Sequence, residues 1–360
     1  MHQLEVPLKN NKYTILIKQE LSNRFDSMLE NIEHYSKIFI VTQQSIIDSV
    51  SCNALSKYPT IVIPEGEDSK SISAVESVVS QLMDLGCNRD SLLVGFGGGT
   101  VTDFTGFVAS IFMRGIDHVF IPTTLLGMVD SSIGGKTGVN NNGARNVIGT
   151  FKQPKAIYID PLFLKTLSKK DIISGFAEII KYGLIADKKF YNTVKSNFIE
   201  LIRLENIDQM ESIIYQCCKH KINFFIDDEF DYNKRMILNF GHTIGHAIES
   251  YYNYENISHG EAVYYGMIAS AFISHKHGLL IESDFNHIHD FIFNISKVGL
   301  NNLDSEKVYK YIKYDKKRIG DKNYFILLND IGKADIVENV TPDDIKEAIT
   351  FIANYEYSCN

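Results

Sequence analysis

The chain has no CxxC pair, no HExxH run, no clean GxGxxG and no uninterrupted apolar stretch of membrane-spanning length. Each absence excludes something. The five cysteines, Cys52, Cys87, Cys217, Cys218 and Cys359, are an odd, scattered set. They make a poor disulfide framework and read as reduced thiols of a cytoplasmic protein. Adjacent Cys217 and Cys218 cannot both turn toward one metal from a helix, so a structural role is expected for them. Without HExxH a zincin protease is unsupported. The opening MHQLEVPLKNNKYTILI lacks a basic segment followed by a continuous apolar one, so no secretory leader is expected. Basic residues are also short: 36 Lys and Arg against 44 Asp and Glu give a net charge of −8, against a nucleic-acid binder.

What is present is ordinary for a globular protein, with 44% hydrophobic and 22% charged residues. At 360 residues, two domains are expected. KIFIVT (37–42), TIVIPE (60–65), SLLVGFGG (91–98), HVFIPT (118–123) and AIYIDP (156–161) are compact, β-branched or aromatic runs ending in turn residues. Amphipathic segments such as Ser69–Leu85 separate them, and this alternation predicts a parallel α/β sheet. After Pro161 helical patterns dominate, at 171–186, 190–226, 234–253 and 259–278. The expectation is an α/β domain over 1–160 and a mainly α-helical domain over 161–360.

Several segments carry chemistry. LLVGFGGGTVTDFTGF (92–107) is a buried strand, a glycine cluster and a helix start, a combination that suits a pyrophosphate. A tight turn alone would also account for the glycines. PEGEDSK (64–70) is a polar loop after a strand, equally consistent with plain surface. VDSSIGGKTGVNNNGARN (129–146) places Asp130, Lys136, Arg145 and Asn146 in an apparently loop-rich segment, where Lys and Arg suit phosphate or carboxylate. GFAEIIKYG puts Glu178 and Lys181 on one helical face, an ordinary ion pair on a surface but, in a cleft, a carboxylate ligand and an ammonium for a substrate. Arg235, Asn239, His242 and His246 form a stripe if their helix is continuous. Lys316 and Lys317 precede an expected strand or hairpin near 314–328.

Three of the eleven histidines lie in NFGHTIGHAIESYYNYENISHGE. His242 and His246 share a helix face, and His259 opens a further helix. Clustered imidazoles suit a divalent metal, and an open catalytic site wants three protein ligands. Spacing leaves two of His242, His246 and His259 open, with a carboxylate from Glu178, Glu249 or Glu261. A metal-free histidine cluster is the competing explanation.

Taken together, PEGEDSK, GFGGGTVTDFTGFVAS, Arg114-Gly115, PTTLLGMVDSSIGGKTGVN, GFAEIIKYG, RMILNFGHTIGHAIE, HGEAVYYGM and DKK resemble, in order and spacing, the 3-dehydroquinate synthase family of sugar phosphate cyclases. The collinear set spans essentially the whole chain. The resemblance implies a Rossmann-like, NAD-binding α/β domain over 1–160 followed by a helical metal-binding domain over 161–360. It brings NAD and one divalent metal, zinc or cobalt, with Glu178, His242 and His259 as metal ligands and His246 facing substrate. It implies NAD contacts from Glu65, Gly66, Glu67, Asp68, Ser69 and Lys70, from Gly99, Thr100, Val101, Thr102 and Asp103, from Thr123, Thr124, Lys136 and Arg145, and from Phe163, Leu164, Lys165 and Thr166. Substrate contacts would come from Asp130, Lys136, Asn146, Lys181, Lys221, Arg235, Asn239, His246 and a lysine of the DKK run such as Lys316. Arg114 would reach the partner's site in a homodimer. Two departures are visible: Arg145 stands where lysine is usual and Thr102 where glycine is common.

The implied reaction takes 3-deoxy-D-arabino-heptulosonate 7-phosphate to 3-dehydroquinate and phosphate. It runs through transient oxidation at C5, phosphate elimination, reduction, ring opening and an intramolecular aldol, with no net oxidation. No membrane or nucleic-acid partner is implied. The alternatives are a metal-dependent alcohol dehydrogenase of the glycerol type, another cyclase such as 2-deoxy-scyllo-inosose synthase, and a non-catalytic binding protein.

Overall fold

The computed structural model describes residues 1–9, 11–30, 35–50, 52–141, 144–295, 300, 303–314 and 324–354. Packing groups the chain into two compact units, Met1–Ile172 with Arg203–Phe230, and Ile173–Ile202 with Asp231–Asn360. The helix Ile207–Phe225 thus belongs with the first unit, although it lies beyond residue 160 in sequence.

The first unit is built on a seven-stranded sheet ordered β1-β2-β9-β6-β5-β3-β4. Its strands are β1 (His2–Pro7), β2 (Lys12–Ile17), β3 (Lys37–Gln43), β4 (Thr60–Ile63), β5 (Ser91–Gly97), β6 (Asp117–Pro122) and β9 (Ala156–Ile159). All neighbours pair parallel except β1 and β2, an N-terminal hairpin. The expected parallel strands are β3, β4, β5, β6 and β9, and the helical expectation for the second half also holds. All seven residues of β5 are buried, as an unbroken apolar run predicts for a strand covered on both faces. The helices Ile72–Asp84 and Gly99–Ile111 add Val75, Val78, Leu82, Val101, Phe104 and Val108 to one core with Phe39, Val41 and Leu93 of the sheet. Ser71 caps the first of them by accepting a bond from the Ala74 amide. Beside β3, β4 lies on one side and β5 on the other, so the chain reverses direction across the sheet there. The carboxyl ends of strands flanking such a reversal are where α/β sheets bind ligands.

Two expectations are corrected. The segment 129–146 is not loop-rich: a short π-helix, Gly127–Ser131, leads into the antiparallel hairpin of β7 (Lys136–Asn141) and β8 (Ala144–Phe151). The pattern at 190–226 is three helices, Lys188–Ser196, Phe198–Ile202 and Ile207–Phe225, the last begun by Asn206 accepting from the Gln209 amide. Cys217 and Cys218 are buried in that last helix, where Cys218 Sγ donates to Met128 O at 3.5 Å and burial pushes its thiol up to about 12. A structural role fits.

The second unit is helical, with one hairpin of β10 (Phe325–Asp330) and β11 (Lys333–Val337) following the 314–323 stretch as expected. Its central helix, His259–Lys276, is buried on nearly every side, so its apolar residues show no one-sided stripe. Backbones meet closely around it. A Cβ at Gly266 would lie 1.9 Å from Gly241 O, and one at Gly260 2.1 Å from Ser174 O. Only glycine permits these approaches. Among the described residues no helix is long and apolar enough to cross a membrane.

Candidate active site

In the first unit, β5 runs into Gly98, which begins the helix Gly99–Ile111 without a side-chain cap. The first-turn N–H groups are therefore unclaimed by a cap, and they suit an anion. The 123–131 segment closes over the turn: a Cβ at Gly98 would sit 3.0 Å from Thr124 Cγ2, and one at Gly99 2.7 Å from Ser131 Oγ. Close packing thus explains these glycines in part. Yet Thr123 Oγ1 and Ser131 Oγ are buried with no hydrogen-bond partner among the described residues. A polar ligand would satisfy such hydroxyls, which are otherwise costly to bury.

A polar network borders this turn. Lys70 Nζ pairs with Asp103 Oδ2 at 2.8 Å, and both are largely buried. Burial pushes the Asp103 carboxyl up, and the Lys70 ammonium opposes that. Thr100 Oγ1 donates to Glu67 Oε1 (3.2 Å) and Asn140 Nδ2 to Glu67 Oε2 (2.9 Å). Burial works against the ionised Glu67, but Lys70, Asn140, Arg145 and Thr100 outweigh it and hold the carboxyl below its ordinary value. The Asn140 amide N–H donates to Lys70 O (2.8 Å), and Asn140 Oδ1 accepts from the Asn146 N–H (2.9 Å). Asn146 itself is left-handed, at φ 50°. On the helix Ile207–Phe225, buried Lys221 donates to Asp130 O (2.7 Å) and pairs with its Oδ1 (2.8 Å).

In the second unit, Glu178 is fully buried, and its Oε2 pairs with Lys181 Nζ. Glu178 Oε1 faces two imidazoles, 3.3 Å from His242 Nε2 and 3.8 Å from His259 Nε2. The other nitrogen of each ring is occupied: His242 Nδ1 lies 3.0 Å from Phe240 O, and His259 Nδ1 3.3 Å from Glu249 Oε2. In the neutral tautomer with Nδ1 protonated, which a ligating imidazole adopts, both Nε2 lone pairs would face the carboxylate, as they do in metal-binding histidines whose other nitrogen is hydrogen-bonded. Ligand atoms of Glu178, His242 and His259 all lie within 4.8 Å of one another.

Burial would raise the Glu178 carboxyl, but Lys181 and the two imidazoles hold it well below the ordinary range, so it is ionised. At His242, burial and the Lys181 charge depress protonation. At His259, burial is overridden by Glu178 and Glu249, which push the imidazole up to about 10. One anionic oxygen and two imidazole nitrogens are the donor set a divalent zinc or cobalt ion takes, with a position left over.

The three carboxylates open at the sequence level divide cleanly. Glu261 accepts from the Ser258 amide at 2.6 Å while its own amide donates to Ser258 Oγ, a capping box that consumes it and sets His259 at the helix start. Glu249 is the partner of His259 Nδ1. Glu178 faces both Nε2 atoms. A second trio, His246, Glu249 and His259, also falls within 4.8 Å, but there Glu249 is already bonded to the imidazole it would have to share.

The expected stripe is broken. Arg235 and Asn239 lie on a 3-10 turn, Lys234–Asn239, and Gly241 at φ 76° separates it from the helix His242–Tyr251. Buried Arg235 and half-buried Asn239 therefore precede the histidines in a different helical register. His246 remains one turn along from His242, their rings 5.3 Å apart.

Two family models cover most of the chain: residues 60–174 match the N-terminal, and 175–318 the C-terminal, part of 3-dehydroquinate synthase. The 3-dehydroquinate synthase of Dictyoglomus thermophilum is 40% identical over 97% of this chain and 98% of its own length. The chain belongs to the 3-dehydroquinate synthase family. Among solved structures, the 2-epi-5-epi-valiolone synthase of Streptomyces hygroscopicus, with NAD+ and Zn2+ bound, is 25% identical with a TM-score of 0.85, covering 97% of this chain and 98% of that one. A 2-deoxy-scyllo-inosose synthase matches in fold, at a TM-score of 0.86, 24% identity, and 97% and 99% coverage.

Of the residues the family resemblance singled out, Glu67, Lys70, Thr100 and Asp103 form one network in the first unit, and Asp130 with Lys221 a second contact. Phe163 and Leu164 are buried, Phe163 edge-on to Phe96 at 5.7 Å, so their side chains are core; Lys165 and Thr166 are exposed. Val101 is likewise core. Glu65 is turned away, its oxygens accepting from the Ser45 amide and hydroxyl at 2.9 and 2.8 Å. Exposed Lys136 opens β7, and Arg145 lies on β8. Lys316 lies outside the described residues. Sequence reasoning missed Asn140 and Ser131, the first hidden in an asparagine run and the second in a serine pair.

Proposed function

We propose that this chain converts 3-deoxy-D-arabino-heptulosonate 7-phosphate to 3-dehydroquinate and phosphate, using NAD and a divalent ion held by Glu178, His242 and His259. The observation that supports it most is the buried Glu178 carboxylate facing two Nε2 atoms whose Nδ1 partners fix the tautomer, within the stretch matched by the family's C-terminal model. When bound, NAD stores a hydride between the oxidation and reduction steps, and the ion acts as a Lewis acid toward substrate hydroxyls.

The chain's own side chains do the rest. Lys136 and Asn146, with Lys316, bind the phosphate; Arg235, with its bidentate geometry, and Lys221 take the carboxylate. The Asp130 carboxylate presently accepts from Lys221, so substrate binding exchanges that contact for one to a hydroxyl. Lys181 and Asn239 orient hydroxyls, and Lys181 keeps Glu178 anionic. His246, half-buried and in ring contact with both ligand histidines at 5.3 and 6.0 Å, moves protons. A ketone at C5 acidifies the neighbouring C–H, a substrate phosphate oxygen takes that proton, and the C–O bond to phosphate breaks. Return of the stored hydride would restore the C5 alcohol, the hemiketal ring would open to the ketone, and aldol addition of the enol would close the carbocycle, so redox balances.

The same reading carries a cytoplasmic homodimer to which Arg114 contributes. Arg114 is exposed and left-handed (φ 69°), as is Met113 before it (φ 47°), a pair of non-glycine residues in sparsely populated backbone of the kind found at functional sites. Phosphate release from the heptulosonate phosphate, measured with and without chelator and NAD, tests the activity. Release that needs both, at flat nicotinamide absorbance, is expected. NADH accumulating with a simple polyol would point to a dehydrogenase, and turnover of a hexose phosphate alone to another cyclase.

A further inference from the structure

The Glu249 carboxylate is 2% exposed, on the helix His242–Tyr251 that also carries His242 and His246. Its Oε2 stands 3.3 Å from His259 Nδ1. His259 has two ways to turn. With Nδ1 protonated and bonded to Glu249, its Nε2 lone pair faces Glu178 Oε1; flipped or in the other tautomer, it offers an N–H where a ligand lone pair is needed. The capping box at Ser258 and Glu261 places the His259 backbone but does not touch its ring. The Nδ1 atom of that ring is engaged by Glu249, so this bond selects between the two orientations. At His242 a backbone carbonyl, Phe240 O, has the same task, so only at His259 can a side-chain substitution alter it.

We propose that Glu249 is a positioning residue: a buried carboxylate that fixes the tautomer and ring plane of His259, raises its basicity and so sets the metal affinity and the metal's coordination, without itself ligating. This rests on Glu178, His242 and His259 being the ligands. The competing geometry, in which Glu249 ligates together with His246 and His259, uses the same atoms.

The test is metal affinity of purified protein, by competition with a chromophoric chelator, together with the visible spectrum of the cobalt-loaded form and the melting temperature of the apo protein. Glu249→Gln keeps an acceptor for Nδ1–H but removes the charge, and is expected to weaken metal binding about tenfold. Glu249→Ala is expected to approach about a hundredfold, the range such partners command. Glu249→Asp should fall between wild type and Ala. The cobalt bands of Glu249→Gln should keep the wild-type position and intensity, because the ligands are unchanged, and the apo melting temperature of Glu249→Gln should stay near wild type. His242→Ala and His246→Ala are the controls.

Unchanged affinity in both Glu249→Gln and Glu249→Ala, with His242→Ala metal-free, overturns the positioning role but leaves the ligand set standing. Complete metal loss or a new cobalt spectrum in Glu249→Gln, with metal also lost in His246→Ala, makes Glu249 a ligand and overturns it differently. Retention of metal by His242→Ala overturns the ligand set itself. An equal fall in apo stability and affinity, not rescued by Gln or Asp, would make Glu249 merely structural.

Discussion

Four residues apart on one helix, His242 and His246 are interchangeable by spacing and distinct by surroundings. His242 has its Nδ1 tied to Phe240 O and its Nε2 toward Glu178, whereas the ring of His246 lies 5.3 Å from that of His242 and 6.0 Å from that of His259. His246→Ala is therefore expected to retain bound metal while losing most turnover, by about 10²-fold or more for a lost proton-transfer group. His242→Ala loses the metal. Metal analysis of the two purified variants beside a phosphate-release assay checks the division, and metal loss in His246→Ala would defeat it. Spacing alone could not make that division, because it depends on where Glu178 arrives from another helix and on which ring nitrogen is occupied; in the sequence only the family resemblance implied it. Arg145 is the other residue whose identity matters here. It keeps the charge but not the shape of the lysine usual in the family, and it helps hold Glu67 below its ordinary value. Arg145→Lys is expected to bind NAD within a few-fold of wild type, read by quenching of NADH-sensitised fluorescence; absence of binding would show that the arginine is required.

At the scale of elements, the short buried strands and the longest helices were plain in the sequence, because unbroken β-branched runs and uninterrupted apolar helical segments have few other uses. What the sequence concealed has physical causes too. Val139 and Ile148 alternate with small and polar neighbours along β7 and β8, so glycine and asparagine hid a hairpin behind loop composition. The N-terminal residues Leu4, Val6, Tyr13, Ile15 and Ile17 do alternate, and pair as β1 and β2, but the turn between them carries only weak signals. The Arg235-to-His246 spacing fitted a continuous helix, yet Gly241 breaks it with a left-handed conformation, and only glycine fits there, because a Cβ would meet Met267 Cγ at 2.6 Å. That helix pair also supplies a prediction. Gly266→Ala forces the backbone of His259–Lys276 away from Gly241, costing about 1–3 kcal/mol or more. Since His242 and His259 lie on the two separated helices, metal affinity should fall along with the denaturation midpoint. Normal affinity in a destabilised Gly266→Ala protein would show that the ligand spacing does not depend on this contact.

For the molecule as a whole, acid is the condition to watch. His118, on β6 in the middle of the sheet, is completely buried against Phe120, and neither ring nitrogen has a partner among the described residues. Burial, assisted by the Lys152 charge, pushes it down to about 3. Its folded pKa is thus below the unfolded value of about 6.5, so below that pH the unfolded chain binds a proton the folded chain refuses. Stability contributed by the neutral ring is intact above about pH 6.5 and is lost with falling pH, by up to about 1.4 kcal/mol per unit, until about pH 3. Urea unfolding between pH 7 and 5 should show this slope in the wild type and a shallower one in His118→Leu. Equal slopes would mean another group controls the acid limb.

The glycine contacts around His259–Lys276 have a bearing on how variation in this chain should be interpreted. Gly241, Gly245, Gly260 and Gly266 touch backbone or core atoms, and none has a side chain with which to ligate or catalyse. In a saturation screen scored by growth or turnover they would nevertheless tolerate as little as Glu178 or His242, and a tolerance map alone would draw the catalytic centre too large. Scoring the same library for soluble yield would part the two groups: spacing glycines lose both folded protein and activity, whereas ligand and proton-transfer positions lose activity in protein that still accumulates.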